Sequence, residues 1–154
     1  MSQELDQVQI KLNLSSEWFR LPPHVKIWLD DELIEDFEVS ERKSREESRV
    51  IEFTRDVTDG MHKIKVQYLD KETPDTRIDN DGNIIADHLV NIERLEIDEI
   101  DLGHMTYNKS EFLPDRDCRP DLPERITEMV NLGYNGIWQM EFESPTYIWF
   151  LDNL

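Results

Sequence analysis

Val8, Ile10, Leu12 and Leu14 alternate with Gln9, Lys11 and Asn13. Successive side chains of a strand point to opposite faces, so this period of two predicts a strand with one buried face and one wet face. The same pattern returns along the chain. After Pro22-Pro23, Val25, Ile27 and Leu29 alternate, Asp30-Asp31 supplies a turn and Leu33 to Val39 resumes the alternation, which predicts a hairpin. Ser40 to Ser48 is highly charged and has no apolar residue, as in a solvated loop or a short exposed helix. Val50, Ile51 and Phe53 restart a strand that ends at Asp56 to Gly60, and Met61 to Leu69 predicts another.

Val90, Ile92, Leu95, Ile97, Ile100 and Leu102 predict a long strand with an irregularity near Glu93-Arg94. Asp121-Leu122-Pro123-Glu124 carries helix-start signals: an N-cap Asp, an early proline and an acid at the positive end of the dipole. Ile126, Met129 and Val130 would then share one face, with Gly133 as the stop, so one short helix is expected near 122–132. Ile137 to Phe142 and, after Ser144-Pro145, Tyr147 to Leu151 predict closing strands, the last apolar on both faces. Roughly eight strands and one helix, with turns every eight to twelve residues, predict an all-β fold, an antiparallel β-sandwich of jelly-roll type. No internal repeat or linker divides the chain, and residues 1–154 are expected to form a single domain.

Lys plus Arg total 17 and Asp plus Glu total 35, for a formal net charge of −18. Contacts to phosphate need Lys and Arg to displace counterions, so this balance argues against direct nucleic-acid binding and against an anionic membrane. It leaves cations, neutral ligands, basic proteins and nucleic-acid mimicry open. At 38% hydrophobic, with 4 Trp, 4 Tyr and 6 Phe, the chain is too apolar for a disordered acidic tail. No apolar run approaches the roughly eighteen residues of a membrane span. Met1 to Gln9 is acidic and polar where a signal peptide would be basic and then apolar, so no export signal is expected. Cys118 is the only cysteine, which excludes an internal disulfide and fits a reducing compartment.

The loop from Asp75 to Asn83, followed by Asp87, concentrates hard oxygen ligands around Gly82, and Asp79, Asp81, Asn83 and Asp87 are the candidate ligands of a Ca2+ ion. Placing Gly82 at the sixth position of an EF-hand loop puts Arg77 first and His88 twelfth, which excludes that motif. The alternative, favoured by turn statistics, is a hairpin turn built on Asp81-Gly82. Trp18 and Phe19, in a loop beside Leu21-Pro22, are the candidate ligand-binding aromatics, because aromatic faces stack on the C–H faces of sugars. Trp138 and Trp149 read as core instead. Cys118 lies between Arg116, Asp117 and Arg119, and two arginines can lower a thiol pKa. His24, His62, His88 and His104 are scattered, no phosphate-cradling glycine loop exists, and no catalytic residue is expected.

Two resemblances extend this reading. Lys26 to Val39, with Asp59-Gly60-Met61-His62-Lys63-Ile64, resembles the ligand-binding β-sandwich modules of carbohydrate-active enzymes. Asp79 to Gly103 and Asn131 to Leu154 resemble a family of small proteins of tailed bacteriophages, especially T4-like phages of cyanobacteria. Together they cover about half of the chain, and Gly-x-Asn-Gly-x-Trp followed by Ser-Pro-x-Tyr-x-Trp is the more specific part. The phage likeness implies a non-enzymatic accessory or virion structural protein, a β-sandwich binding or assembly module. Its expected partners are other phage structural proteins or copies of itself, and its expected place is the host cytoplasm during assembly or the virion. The module likeness implies the alternative, a calcium-dependent carbohydrate-binding module for polysaccharide, in which sugar hydroxyls complete the ion's shell. The four candidate ligands come from the loop itself, and neither resemblance assigns them. The acidic charge adds a further alternative, an inhibitor that mimics nucleic acid in a host protein's basic groove.

Overall fold

The computed structural model describes residues 5–42 and 47–153. Lys43 to Glu46, within the charged stretch, lie outside the described residues. The strands are β1 (Leu5–Glu17), β2 (His24–Leu29), β3 (Glu32–Glu38), β4 (Arg49–Thr58), β5 (Gly60–Leu69), β6 (Arg77–Ile78), β7 (Ile84–Ala86), β8 (Leu89–Ile97), β9 (Ile100–Asp101), β10 (Ser110–Pro114), β11 (Ile126–Thr127), β12 (Asn131–Leu132) and β13 (Gly136–Ser144). The α-helices are α1 (Met105–Asn108) and α2 (Thr146–Asn153). One sheet runs β12-β8-β1-β4, with β9 beside β8, and the other runs β11-β10-β13-β5-β2-β3. The pairings are antiparallel, so the expected antiparallel β-sandwich is the fold found.

Alternation places the core. Val8, Ile10, Leu12 and Leu14 of β1 are buried and face Val25, Ile27, Ile64, Val66, Trp138, Met140 and Phe142 from the other sheet within one apolar cluster. The expected hairpin forms between β2 and β3, with Asp30 in the left-handed region at φ 51°. The irregularity near Glu93-Arg94 is a bulge: Asn13 pairs with Arg94 and Leu14 with Ile92, which leaves Glu93 unpaired. After Ile97 the chain turns at Asp98 and Glu99, both at positive φ, so Ile100 starts a new strand.

Two expectations are corrected. No helix forms near 122–132. Glu128 sits at φ 59°, which a right-handed helix excludes, and the segment satisfies its backbone across strands. Ile126 and Thr127 pair with β10, Asn131 and Leu132 pair with β8, and Ile92 N donates to Val130 O at 2.8 Å. The segment thus crosses from one sheet to the other and closes one side of the sandwich. On the opposite side, Arg49 meets Glu35 at 2.8 Å and Arg55 meets Glu32 at 2.9 Å, joining edge strands β4 and β3. The second correction concerns Tyr147 to Leu151, which is helical. Proline has no N–H for the ladder, so the strand stops at Ser144, and α2 buries Trp149 and Phe150 while Tyr147 and Leu151 stay exposed.

Candidate functional site

The connections β1–β2, β5–β8 and β10–β13 lie at one end of the sandwich, as the pairings His24 with Leu69, Tyr68 with Gly136 and Gly136 with Pro114 require. The long connection 70–88 dominates this end and holds a 3₁₀ turn (Thr73–Asp75) and the β6–β7 hairpin. Backbone polar groups in such a loop need partners, and buried side chains supply them.

Asp87 Oδ1 accepts hydrogen bonds from Lys71 Nζ at 2.6 Å, Thr76 Oγ1 at 2.7 Å and His88 N at 2.8 Å. Lys71 Nζ also donates to Gly133 O at 2.6 Å. Lys71 N donates to Asn135 Oδ1 at 2.8 Å and Asn135 Nδ2 returns a bond to Lys71 O at 3.0 Å, which ties connection 70–88 to 115–135. Asp75 Oδ1 takes Arg20 Nε at 2.7 Å and its Oδ2 takes Glu72 N at 2.9 Å. His88 Nε2 accepts from Phe19 N and Arg20 N, so its proton sits on Nδ1, 3.4 Å from Asp75 Oδ1. Burial keeps this imidazole neutral and pushes its pKa down. Burial works against the charge of Asp75 and Asp87 as well. The Arg20 and Lys71 bonds outweigh it and hold both carboxyls below the usual range.

This network holds two clefts open on either side of the β6–β7 hairpin. The larger has a volume of about 950 Å³ and is lined by Thr73, Thr76, Ile78, Ile84, Met129 and Tyr134, with Lys71, Arg119, Asn131 and Asn135. The smaller, about 440 Å³, lies between Trp18, Phe19 and Arg42 and the exposed Ile84 and Ile85. Ile84, Asp87 and Leu89 line both. The cations of the larger cleft are matched: Lys71 by Asp87, and Arg119 by a two-point contact with Asp121 at 2.9 and 2.7 Å that holds the Asp121 carboxyl down to about 2. The carboxylates of Glu72 and Asp87 also line this cleft, and its apolar wall, one aromatic ring and amide and hydroxyl groups suit an uncharged polyhydroxyl ligand.

The structure brings Trp18 and Phe19 to the smaller cleft. Each ring carries a guanidinium on a face: Arg42 lies 3.7 Å from the Trp18 centroid and Arg77 lies 4.6 Å from that of Phe19, which also meets His88 edge-on. Asp79, Asp81 and Asn83 lie in the hairpin turn, with Gly82 at φ 84°. Asp79 Oδ1 accepts from Asn83 N and Asp81 N at 2.9 Å each, and these backbone bonds hold its carboxyl below the usual range. Asp87 stands apart, bound to Lys71. As they stand, the four do not fit a calcium shell, because one carboxylate closes its own turn and another is matched by an ammonium. Among the described residues, no three His, Cys, Asp or Glu side chains group as a metal site.

Lys71 and Asn135 had no sequence signal, since they meet across 64 positions, and Tyr134 lies beside Asn135 with no local pattern to mark it. Cys118 is exposed, and its hydrogen bond to Asp115 Oδ2 pushes the thiol pKa up, so the flanking arginines do not activate it.

No protein-family model matches the chain, and no curated protein matches it. Among solved structures, the chain is similar to vCBM60 in complex with galactobiose, at 11% identity over 86% of this chain and 96% of that one, with a TM-score of 0.51. It is also similar to the selenomethionine form of vCBM60, described with a circular permutation that links two families of calcium-dependent carbohydrate-binding modules. That match has 10% identity over 86% of this chain and 89% of that one, with a TM-score of 0.52. At such identity the likeness shows the fold: a β-sandwich shared with carbohydrate-binding modules.

Proposed function

We propose that this protein is a non-catalytic carbohydrate-binding module and that the larger cleft takes a neutral saccharide. The observation that carries the reading is the cleft itself: about 950 Å³ at the loop end of a sandwich whose structural neighbours are carbohydrate-binding modules, with its cations already matched. Tyr134 offers a ring for the C–H face of a sugar, and Asn131, Thr73 and Thr76 offer amide and hydroxyl groups for its oxygens. This differs from the expectation built on Trp18 and Phe19, whose cleft is the smaller; all three rings carry a guanidinium on one face, with Arg119 lying 5.2 Å from the Tyr134 centroid.

Calcium enters as an arm of the test. An ion at Asp79, Asp81, Asn83 and Asp87 would compete with Lys71 for Asp87, so the geometry predicts sugar binding that does not depend on calcium. A glycan array run in millimolar calcium and in EDTA, with Tyr134→Ala and Asp79→Ala/Asp81→Ala beside the wild type, checks both points. Signal in both buffers that Tyr134→Ala removes is the expected result. Signal only with calcium, lost in the double variant, would move the site to the hairpin.

A second reading, an assembly component that associates with its own copies, is supported by the outer face of α2, where Tyr147, Ile148 and Leu151 are exposed. Sedimentation analysis tests it: a dimer that Leu151→Glu disperses supports this reading, and a monomer at all concentrations opposes it.

A further inference from the structure

A third concavity of about 450 Å³ adjoins the larger cleft, sharing Lys71 and Glu72 with it, and His24 stands on its rim. His24 Nδ1 faces Asp70 Oδ2 at 2.7 Å and His24 Nε2 faces Asp36 Oδ1 at 2.5 Å. Carboxylates accept and do not donate, so only the doubly protonated imidazolium satisfies both contacts. The ring therefore joins three elements: β2, which carries it, β3, which carries Asp36, and the residue that follows β5.

Asp70 is the residue at which connection 70–88 begins. It has a side chain, yet it sits at φ 63°, a region favoured by glycine. The next residue is Lys71, whose N–H and C=O bind Asn135 and whose ammonium binds Asp87 and Gly133 O. Lys71, Gly133 and Asn135 are all in the lining of the larger cleft. The side chain that holds Asp70 in place thus lies one residue from the bonds that shape the proposed saccharide site.

We propose that protonated His24 is a pH-responsive pin on that site: loss of its proton frees Asp70 or Asp36, loosens connection 70–88 at its first residue and weakens saccharide binding. This inference rests on the larger cleft being the binding site. The surrounding charges agree with it. From β3, Glu38 pairs in register with His24 and adds a second carboxylate beside Asp36. Among the cations, Arg20 is engaged by Asp75 and Glu72, and Lys71 by Asp87. His88 is held neutral by its two backbone donors. Burial opposes the charge on His24, but the bonds to Asp70 and Asp36 outweigh it and raise its pKa above the ordinary value. The proton is therefore held at acid and neutral pH and leaves as pH rises through the raised value.

The test uses the full chain, isotopically labelled, with galactobiose and a panel of neutral oligosaccharides as probes. The His24 ring and the amides of Lys71, Gly133 and Asn135 are titrated by NMR in the wild type, in His24→Gln and in Asp36→Asn. Asp36 is half exposed, so the Asp36→Asn variant serves should His24→Gln fail to fold. The expected result is a His24 midpoint above the ordinary histidine range, with the three amides following it. The midpoint should fall in Asp36→Asn, and wild-type affinity should drop at least about fivefold between about pH 6 and about pH 9. Amides that ignore His24, or an affinity that is the same at both pH values, would overturn the proposal. Absence of saccharide binding at every pH, with amides that still follow His24, would remove the proposed function while leaving the pin in place.

Discussion

His62 and His88 occupy opposite hydrogen-bonding surroundings, and the contrast sets the sign of their titration. His62 has an acceptor at each ring nitrogen, Asp30 Oδ2 at 2.7 Å and Thr58 O at 2.6 Å, which favours the imidazolium. Burial opposes that charge, but the two bonds outweigh it and raise the pKa. Its contribution to stability is fully present below the unfolded value of about 6.5 and is lost as pH rises through the folded value. His88 has two donors at Nε2 and a lowered pKa, so its neutral form is favoured and stability is lost as pH falls below about 6.5 toward the folded value. Ring titration by NMR should place His62 above, and His88 below, the ordinary midpoint; the reverse order would refute these assignments. The same scale separates the acids of connection 70–88. Asp87→Ala leaves the half-buried Lys71, Thr76 and His88 N without their shared acceptor and should cost about 3 kcal/mol in urea unfolding. Asp79→Ala removes only a turn cap and should lower the urea midpoint much less than Asp87→Ala.

Among the elements, β13 shows how tightly the second sheet is packed. Gly136 opens the strand at φ 154°, and a Cβ there would lie 2.4 Å from Leu113 O and 2.9 Å from Pro114 Cα. Both are backbone atoms of β10, so the neighbouring strand must shift. Gly136→Ala should therefore destabilise the fold by about 2–3 kcal/mol, read as a lower midpoint in denaturant, and an unchanged midpoint would mean that β10 yields freely. The elements also show what the sequence can display. β1, the β2–β3 hairpin, β5 and the bulge at Glu93 were legible because alternation is a local pattern whose apolar face must meet a core. Segment 122–132 misled because Asp121 and Pro123 are valid cap residues, while the partners that claim its backbone, Phe112 and Asn91, lie far off in sequence. The helix α2 was hidden because its buried residues, Trp149 and Phe150, are adjacent and show neither period. The clefts were illegible for the same reason as segment 122–132: Lys71 meets Asn135 across 64 positions.

For the molecule as a whole, the loops of one end are braced by matched charges, and the remaining acidity is spread over the surface. A net charge of −18 repels anionic ligands at long range, while Lys71 and Arg119 are already engaged within the larger cleft. The account therefore predicts affinity for neutral saccharides that changes little with salt. Its central claim is that Tyr134 and its neighbours form the binding surface. Isothermal titration of the wild type and of Tyr134→Ala with the strongest neutral oligosaccharide from the array tests this most directly. The predicted result is measurable wild-type binding that weakens about tenfold or more in Tyr134→Ala, with both proteins equally stable. Equal affinity in the two proteins, or no binding by a folded wild type, would contradict it.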